Sequence, residues 1–494
     1  MMTELRREYW PVIVGLVVLI AVFLAKSLLG MTFGQVLLLG AVAAVCGWWA
    51  LQSPVFAAIA LLVAIFLRLA LEDYFPVDPF WLVLATLLAA SVWWMARTSD
   101  RLHGVGAIEL AMWLYLLWNL ASALLPHEYA LGDELTESAT ALPRFVLFAV
   151  ALPLTMYVVG RYAFDRSSAV RALLWAMLLM AAHSAATAIM PTIGLAQWVW
   201  PQYLRDKNAT ADWSGRAAGV LNQPVATGIL LAIGIAIAIQ LVCRGDEPRL
   251  RRWLAIAIAL GCGYAIYLTH TRAAWLCGVV VLVMGAVLAK GYRAGFLASI
   301  GFVAVVVIAR WTTFTSSNRE AGGVGSVLEL QDRLNTIATA VWAAGRKPIE
   351  GWGIGRFRAV NTYHHQQWAP DVPWARGFNM VSHQNELGIL AELGLIGLAL
   401  WLCIIALCAY RLCVAYRTLP ADSLTGKPLA LTALMAIAVL VTSGLTVDLR
   451  YLDFPTVAVF LLVGVTIGWS DRSERTPSSE SASHVPAATA VRCG

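Results

Sequence analysis

Charge is what this sequence has least of. Only 13% of its 494 residues are Asp, Glu, Lys or Arg, where a soluble domain carries roughly 25%. With 60% hydrophobic residues and a mean hydropathy of +0.73, this deficit excludes a disordered chain and an ordinary soluble enzyme. Cysteine is sparse too. Eight are present, with no CxxC and no Cys/His cluster. Cys46, Cys262, Cys277, Cys403 and Cys408 fall inside apolar runs. They read as small buried hydrophobes, so neither a disulfide scaffold nor a metal site is expected. The net charge of +6 is spread over separate stretches and points to no nucleic-acid partner. The first apolar run follows Arg6 and Arg7 and lacks a small-residue cleavage pattern, so it reads as a retained anchor.

What the sequence has is apolar runs near 20 residues, the length that crosses about 30 Å of hydrocarbon. Roughly fourteen such runs can be marked. They lie near 11–30, 32–50, 54–71, 79–96, 104–125, 142–160, 169–193, 218–242, 253–269, 273–289, 294–311, 384–410, 428–446 and 452–470. Many of the 21 Trp sit at their ends, where an amphipathic ring suits the headgroup zone. The fold expected is all-α: a polytopic helical membrane protein of about 12–14 spans with one long periplasmic loop. Residues 1–311 form a first transmembrane region, 312–383 the loop with helices of its own, and 384–470 a second transmembrane region. A tail over 471–494, rich in Ser, Ala, Pro and charge, is expected to be disordered.

Basic residues orient the chain. With a cytoplasmic N-terminus, Arg97 and Arg101, Arg161 to Arg171, Arg244 to Arg252, Lys290 and Arg293, and Arg411 to Lys427 all fall inside. The stretches 72–78 and 126–141 fall outside and are acidic. The alternation holds throughout and puts both termini in the cytoplasm. The exceptions are Arg205, Lys207, Arg216, Arg272 and Arg450 in short outer loops. The long outer loop adds Arg319, Arg333, Arg346, Lys347, Arg356, Arg358 and Arg376. Guanidinium groups gathered against the outer leaflet form a natural site for phosphate.

Three stretches carry the candidate chemistry. In 214–228, Arg216 precedes a span whose first turns hold Asn222, Gln223 and Pro224. Polar groups at that depth face a cavity or a partner helix, and the proline is expected to kink the span. An alternative reading is a kinked helix with Arg216 reaching to headgroups. In 268–278, His270 and Arg272 share a tight outer turn with Trp275, which also fits a plain interfacial anchor. The third stretch opens with a helix over 331–357 and a glycine turn at Gly351, Gly353 and Gly355. No strand precedes that turn, so it is no nucleotide loop. The stretch ends at His383, with Ser382 as the expected N-cap of the following span and Glu392 buried and paired within it. The positive helix end disfavours imidazolium, so His383 is expected to be neutral and able to accept a proton. His364 and His365 compete for that role.

Taken in order, these residues resemble the O-antigen ligase and polymerase superfamily, which includes pilin-type protein O-oligosaccharyltransferases. The resemblance covers roughly 214–400. Its pattern is matched by Arg216, Gly219 and Pro224; by Thr271, Arg272 and Trp275; by Arg333 and Leu334; by Gly351, Gly353 and Phe357; and by His383, Glu392 and Gly394. The chain departs from it at Gln384, where Asn is usual and Asn385 follows, and at Val225, where Asn is frequent.

The resemblance implies a GT-C-like fold and a metal-independent, inverting membrane glycosyltransferase with no cofactor. The donor would be a glycan on undecaprenyl diphosphate, and the acceptor hydroxyl would belong to lipid A-core, with membrane lipids around both. Arg216 and Arg272 would hold the diphosphate, and His383 would deprotonate the acceptor. Arg333, Gly353, Arg356, Gln384, Asn385 and Gln223 would contact substrate. The implied setting is the bacterial inner membrane, with the active site facing the periplasm and lipopolysaccharide biosynthesis as the pathway. Alternatives within the family are a polymerase acting on another lipid-linked glycan and a transferase acting on a pilin. Outside it stands a lipid-linked sugar transporter. A transporter would distribute polar groups across the midplane, whereas here most of them collect at one face; Glu109, Asn119 and His183 lie within spans.

Overall fold

The computed structural model describes residues 47–48, 51, 53–72, 78–97, 105–129, 142–205, 215–244, 246–309, 311–316 and 328–475. The spans expected at 11–30 and 32–50 fall almost wholly outside these residues. So do Lys207, Arg319, most of both acidic outer stretches and the tail beyond 475.

The chain is an all-α polytopic membrane protein, without strands among the described residues. Its main helices are α1 (Pro54–Phe66), α2 (Pro79–Arg97), α3 (Ala107–Leu124), α4 (Leu152–Ala163), α5 (Ser167–Ile189), α6 (Pro224–Arg244) and α7 (Arg249–Leu268). There follow α8 (Arg272–Leu288), α9 (Ala294–Ala309), α10 (Leu328–Arg346), α11 (Phe357–Tyr363), α12 (Asn385–Thr418), α13 (Lys427–Gly444) and α14 (Asp453–Arg475). Seven described helices are long and apolar enough to cross a membrane by length and composition. All twelve expected spans that fall on described residues coincide with helices.

Burial explains the apolar composition. Helix α6 is apolar on every face, and its residues from Pro224 to Leu241 are all buried, as befits a central helix. Helices α2 and α9 do the reverse: Leu82, Val92, Phe302, Val305 and Ile308 are exposed. Water would not tolerate so much outward apolar surface, but lipid does. Where helices touch, small residues set the spacing. A Cβ at Gly160, Gly464 or Gly468 would overlap backbone of the facing helix in the α4–α14 pair. Gly464 and Gly468 thus form a small-xxx-small seam.

Two ends of the bundle differ in chemistry. At one end, Arg161 of α4 bonds Glu109 of α3 and donates from Nε and Nη2 to Asp471 of α14, at 2.9 and 2.7 Å. Arg411 of α12 bonds Asp471 as well. Helix α14 therefore runs through Asp471 to Arg475, and the expected onset of a disordered tail at 471 is corrected: the ion pairs hold that turn in place. The opposite end gathers the starts of α6, α8, α12 and α14, the ends of α7 and α13, and α10–α11.

Three local expectations also change. Helix α6 begins at Pro224 and not at 218. The preceding residues form a turn with left-handed Gly219 and Asn222, and Gln223 Oε1 accepts from the N–H groups of Val225 and Ala226. Pro224 therefore starts a helix and does not kink one, since a first-turn proline gives up no helical hydrogen bond. The cap residue of α12 is Gln384, without a side-chain cap bond; Ser382 instead donates to the Gln384 carbonyl at 2.7 Å. Finally, α12 is broken at Gly394, with φ 66° and ψ −167°, a conformation essentially reserved for glycine.

Candidate active site

That break is where the long loop is fastened. Leu395 N–H donates to the Pro348 carbonyl at 2.7 Å, and Trp352 and Gly353 N–H groups donate to the carbonyls of Ala391 and Glu392 at 2.9 and 2.8 Å. The Glu392 carboxylate then accepts from the N–H groups of Gly355 and Phe357 at 2.9 and 2.8 Å. Its remaining demand is met by Arg450, at 2.6 Å, and Arg450 in turn forms a forked pair with Asp448 at 2.9 and 2.6 Å. All three side chains are buried. A Cβ on Gly388, in the first turn of α12, would meet Asp448, Arg450 and Ser382 at once. The pair thus packs directly beneath the turn that carries His383.

The glycine turn is accordingly an internal clasp. Gly353 is buried, its N–H is bonded, and a Cβ there would strike the His127 ring. Arg356 is buried and donates to the carbonyls of Tyr129 and Ile354 at 2.9 and 3.1 Å. Both residues, expected to contact substrate, hold the loop together. His364 pairs with the Tyr129 hydroxyl and stacks on Trp342. His365 engages Asn361 and the Trp374 carbonyl through its two ring nitrogens. Both ring nitrogens of His365 are thus occupied, as is Nε2 of His364. Arg376 pairs with Asp332 at 2.6 Å, which also accepts from Gly377 N–H.

Another set does come together. Ala217 N–H donates to the Leu268 carbonyl at 2.9 Å, and His270 Nδ1 donates to the Gly215 carbonyl at 2.8 Å. These bonds join the Arg216 loop to the turn that opens α8 at Arg272. Arg333, on α10, lies within the field of both. Burial chiefly, and then repulsion from Arg272 and Arg216, lowers its pKa. Burial also lowers that of Arg216, whose Nη2 meets Glu329 at 2.7 Å. Three guanidinium groups sharing one neighbourhood would accept a multiply charged anion.

His383 stands beside them. Among the described residues its ring makes no hydrogen bond. Its pKa is lowered by burial first and by Arg333 second, with Asp332 and Asp448 opposing. Burial is therefore the first cause that holds the ring toward its neutral form. Gln384 is half-buried at the cap position. Asn385 is buried, donates to Glu386 at 3.2 Å, and leaves its Oδ1 without a partner. No group of three or more possible metal ligands occurs among the described residues.

Sequence reasoning missed Glu329, and met Arg450 only as a charge out of place. The signal for Arg450 was its position two residues after Asp448 in a short outer loop; nothing local marks Glu329.

The helical membrane bundle thus carries a cationic cluster and a half-buried imidazole at one end. Residues 254–402 match the family model for O-antigen ligase. This segment supports the O-antigen ligase-like superfamily of membrane glycosyltransferases, whose partners are in general a lipid-linked glycan and an acceptor. It contains Arg272, Arg333, His383 and Glu392, whereas Arg216, Gln223 and Arg450 lie outside it. No curated protein matches the chain.

Proposed function

We propose that the protein transfers a glycan from undecaprenyl diphosphate to an acceptor hydroxyl of lipid A-core, at the periplasmic face of the bacterial inner membrane. One observation carries the reading: a half-buried imidazole with no hydrogen-bond partner among the described residues lies beside Arg333, which itself lies in the field of Arg216 and Arg272.

In this reading the three arginines bind the diphosphate and stabilise the charge that accumulates as the sugar leaves. His383 takes the proton from the acceptor hydroxyl as its oxygen attacks the anomeric carbon. The C–O bond to phosphate breaks as the new C–O bond forms, so the configuration inverts. Lipid diphosphate is a good leaving group, and guanidinium groups supply the positive charge that a metal would otherwise bring. Asp448 and Arg450 position the His383 turn from below.

The test is transfer by purified protein given undecaprenyl-diphosphate glycan and lipid A-core, with EDTA in a parallel series. His383→Ala is expected to lower the rate by about 10²–10⁴-fold. Arg216→Ala and Arg272→Ala are each expected to lower it by about 10²–10³-fold. EDTA is expected to have no effect. Lengthening of the lipid-linked glycan with the core untouched would make the protein a polymerase, and transfer to a pilin an oligosaccharyltransferase. No transfer to any acceptor would favour transport and sink the mechanism.

A further inference from the structure

At the same end of the bundle as the arginine cluster lies a cavity of about 640 Å³, within the size range of small-molecule sites. Its walls come from the end of α1, the turn that follows it, the start of α2, the 220–226 turn and the 451–455 stretch. None of Arg216, Arg272, Arg333 and His383 lines it, but two of its walls continue along the chain into the Arg216 loop and the Arg450 stretch. Gln223 is joined to the Arg216 loop through the Gln223 N–H to Ala218 carbonyl bond, and Tyr451 follows Arg450.

The cavity has the opposite charge character. Glu72, Asp78 and Asp453 line it against one cation, Arg68. Arg68 is already held by the carboxylates: Nε lies 2.5 Å from Asp78 and Nη1 3.5 Å from Asp453. Its guanidinium also sits 4.5 Å over the Phe148 ring. A phosphate entering here would meet three carboxylates against one guanidinium, which is itself ion-paired to two of them although its Nη1 makes no hydrogen bond. Hydroxyl and ammonium groups would meet acceptors, since carboxylates form strong hydrogen bonds to such donors.

The other lining groups agree. Gln223 uses Oε1 to cap α6, and its Nε2 makes no hydrogen bond among the described residues. Asn222 has a buried Oδ1 without a partner. Trp81 is 49% exposed and lines the cavity, offering an indole surface to the C–H face of a ring.

We propose that this cavity binds an uncharged or amine-bearing sugar residue of one of the two substrates, at the same end of the bundle as the diphosphate site and separate from it. The inference deepens the transferase reading and rests on it. The sugar belongs either to the donor glycan or to the acceptor.

The test measures binding by saturation-transfer NMR on the full chain in nanodiscs. The probes are the free repeat-unit oligosaccharide released from the donor and the free core oligosaccharide released from lipopolysaccharide. One of them is expected to bind wild type, to bind His383→Ala equally well, and to resist displacement by pyrophosphate. Its Kd is expected to rise about tenfold in Trp81→Ala and in Glu72→Gln, and to recover in Trp81→Phe. The oligosaccharide that responds identifies the source. Binding of neither, displacement by pyrophosphate, or unchanged Kd in both variants would overturn the proposal. Binding as expected in a protein that transfers nothing would remove the transferase reading and leave the cavity. Transfer with unaltered KM for both substrates in Trp81→Ala and Glu72→Gln would do the reverse.

Discussion

Arg216 Nη2 lies 2.7 Å from Glu329 Oε1, so a carboxylate of the chain itself occupies one of the guanidinium groups assigned to the diphosphate. In the proposed reading, the donor diphosphate competes with Glu329 for that guanidinium. Both side chains are partly exposed, and such pairs are worth about 0.2–1 kcal/mol. Glu329→Gln should therefore lower KM for the donor by up to about fivefold, with kcat unchanged. Steady-state kinetics against donor concentration would show this; a raised KM would mean that Glu329 helps to hold the donor.

The pH profile follows from His383. Its ordinary value is 6.5, and burial together with Arg333 pushes it lower. The ring is then neutral at neutral pH and gains a proton only as pH falls through the lowered value. The profile of kcat/KM should be flat near neutrality and lose activity on the acid side, with a midpoint below 6.5. Bound diphosphate would offset Arg333, so the midpoint in kcat should lie above that in kcat/KM. A free-enzyme midpoint at or above 6.5 would contradict this assignment of the base.

Arg450 between Glu392 and Asp448 predicts an asymmetry. Arg450→Met leaves two buried carboxylates without their cation and should cost about 3–5 kcal/mol, read as a lowered Tm in detergent. Substituting all three by apolar residues should recover only part of the loss. Glu392 also satisfies the N–H groups of Gly355 and Phe357, and each orphaned donor costs about 1–3 kcal/mol. Full recovery would show that the clasp does not need the carboxylate.

Gly394→Ala should destabilise by about 1–3 kcal/mol from backbone strain alone. A Cβ there would also overlap the Ile349 carbonyl. The loop should become sensitive to protease between 346 and 357 while the spans stay helical by circular dichroism. Unchanged proteolysis would separate the helix break from the fastening of the loop.

These contacts mark what the sequence could convey. The spans were legible because about 20 apolar residues are needed to cross a bilayer whatever their order. Their fine boundaries were not. Ala217 to Leu221 look as apolar as the helix that follows, and only the left-handed Gly219 and Asn222 move its start to Pro224. Arg272, Arg333 and His383 were legible as the basic and titratable residues set at one face. Gly353 and Glu392 belong to the same family pattern and Arg356 lies between its Gly353 and Phe357, yet the partners of these three are the Glu392 carbonyl, Arg450 and Tyr129. No local spacing reveals pairings over such separations.

The ion cluster at the far end of the bundle bears on how the protein is made. Glu109, in the first turn of α3, and Arg161, in the last turn of α4, pair with each other at that end. Arg411 emerges later, and its acidic partner among the described residues is Asp471, on α14. That pairing, with the Arg161–Asp471 pair, ties the C-terminal turn of α14 to two helices made earlier. Because α14 is the last described helix, the end of the bundle that Asp471 ties together cannot be completed until the chain has been made through that residue.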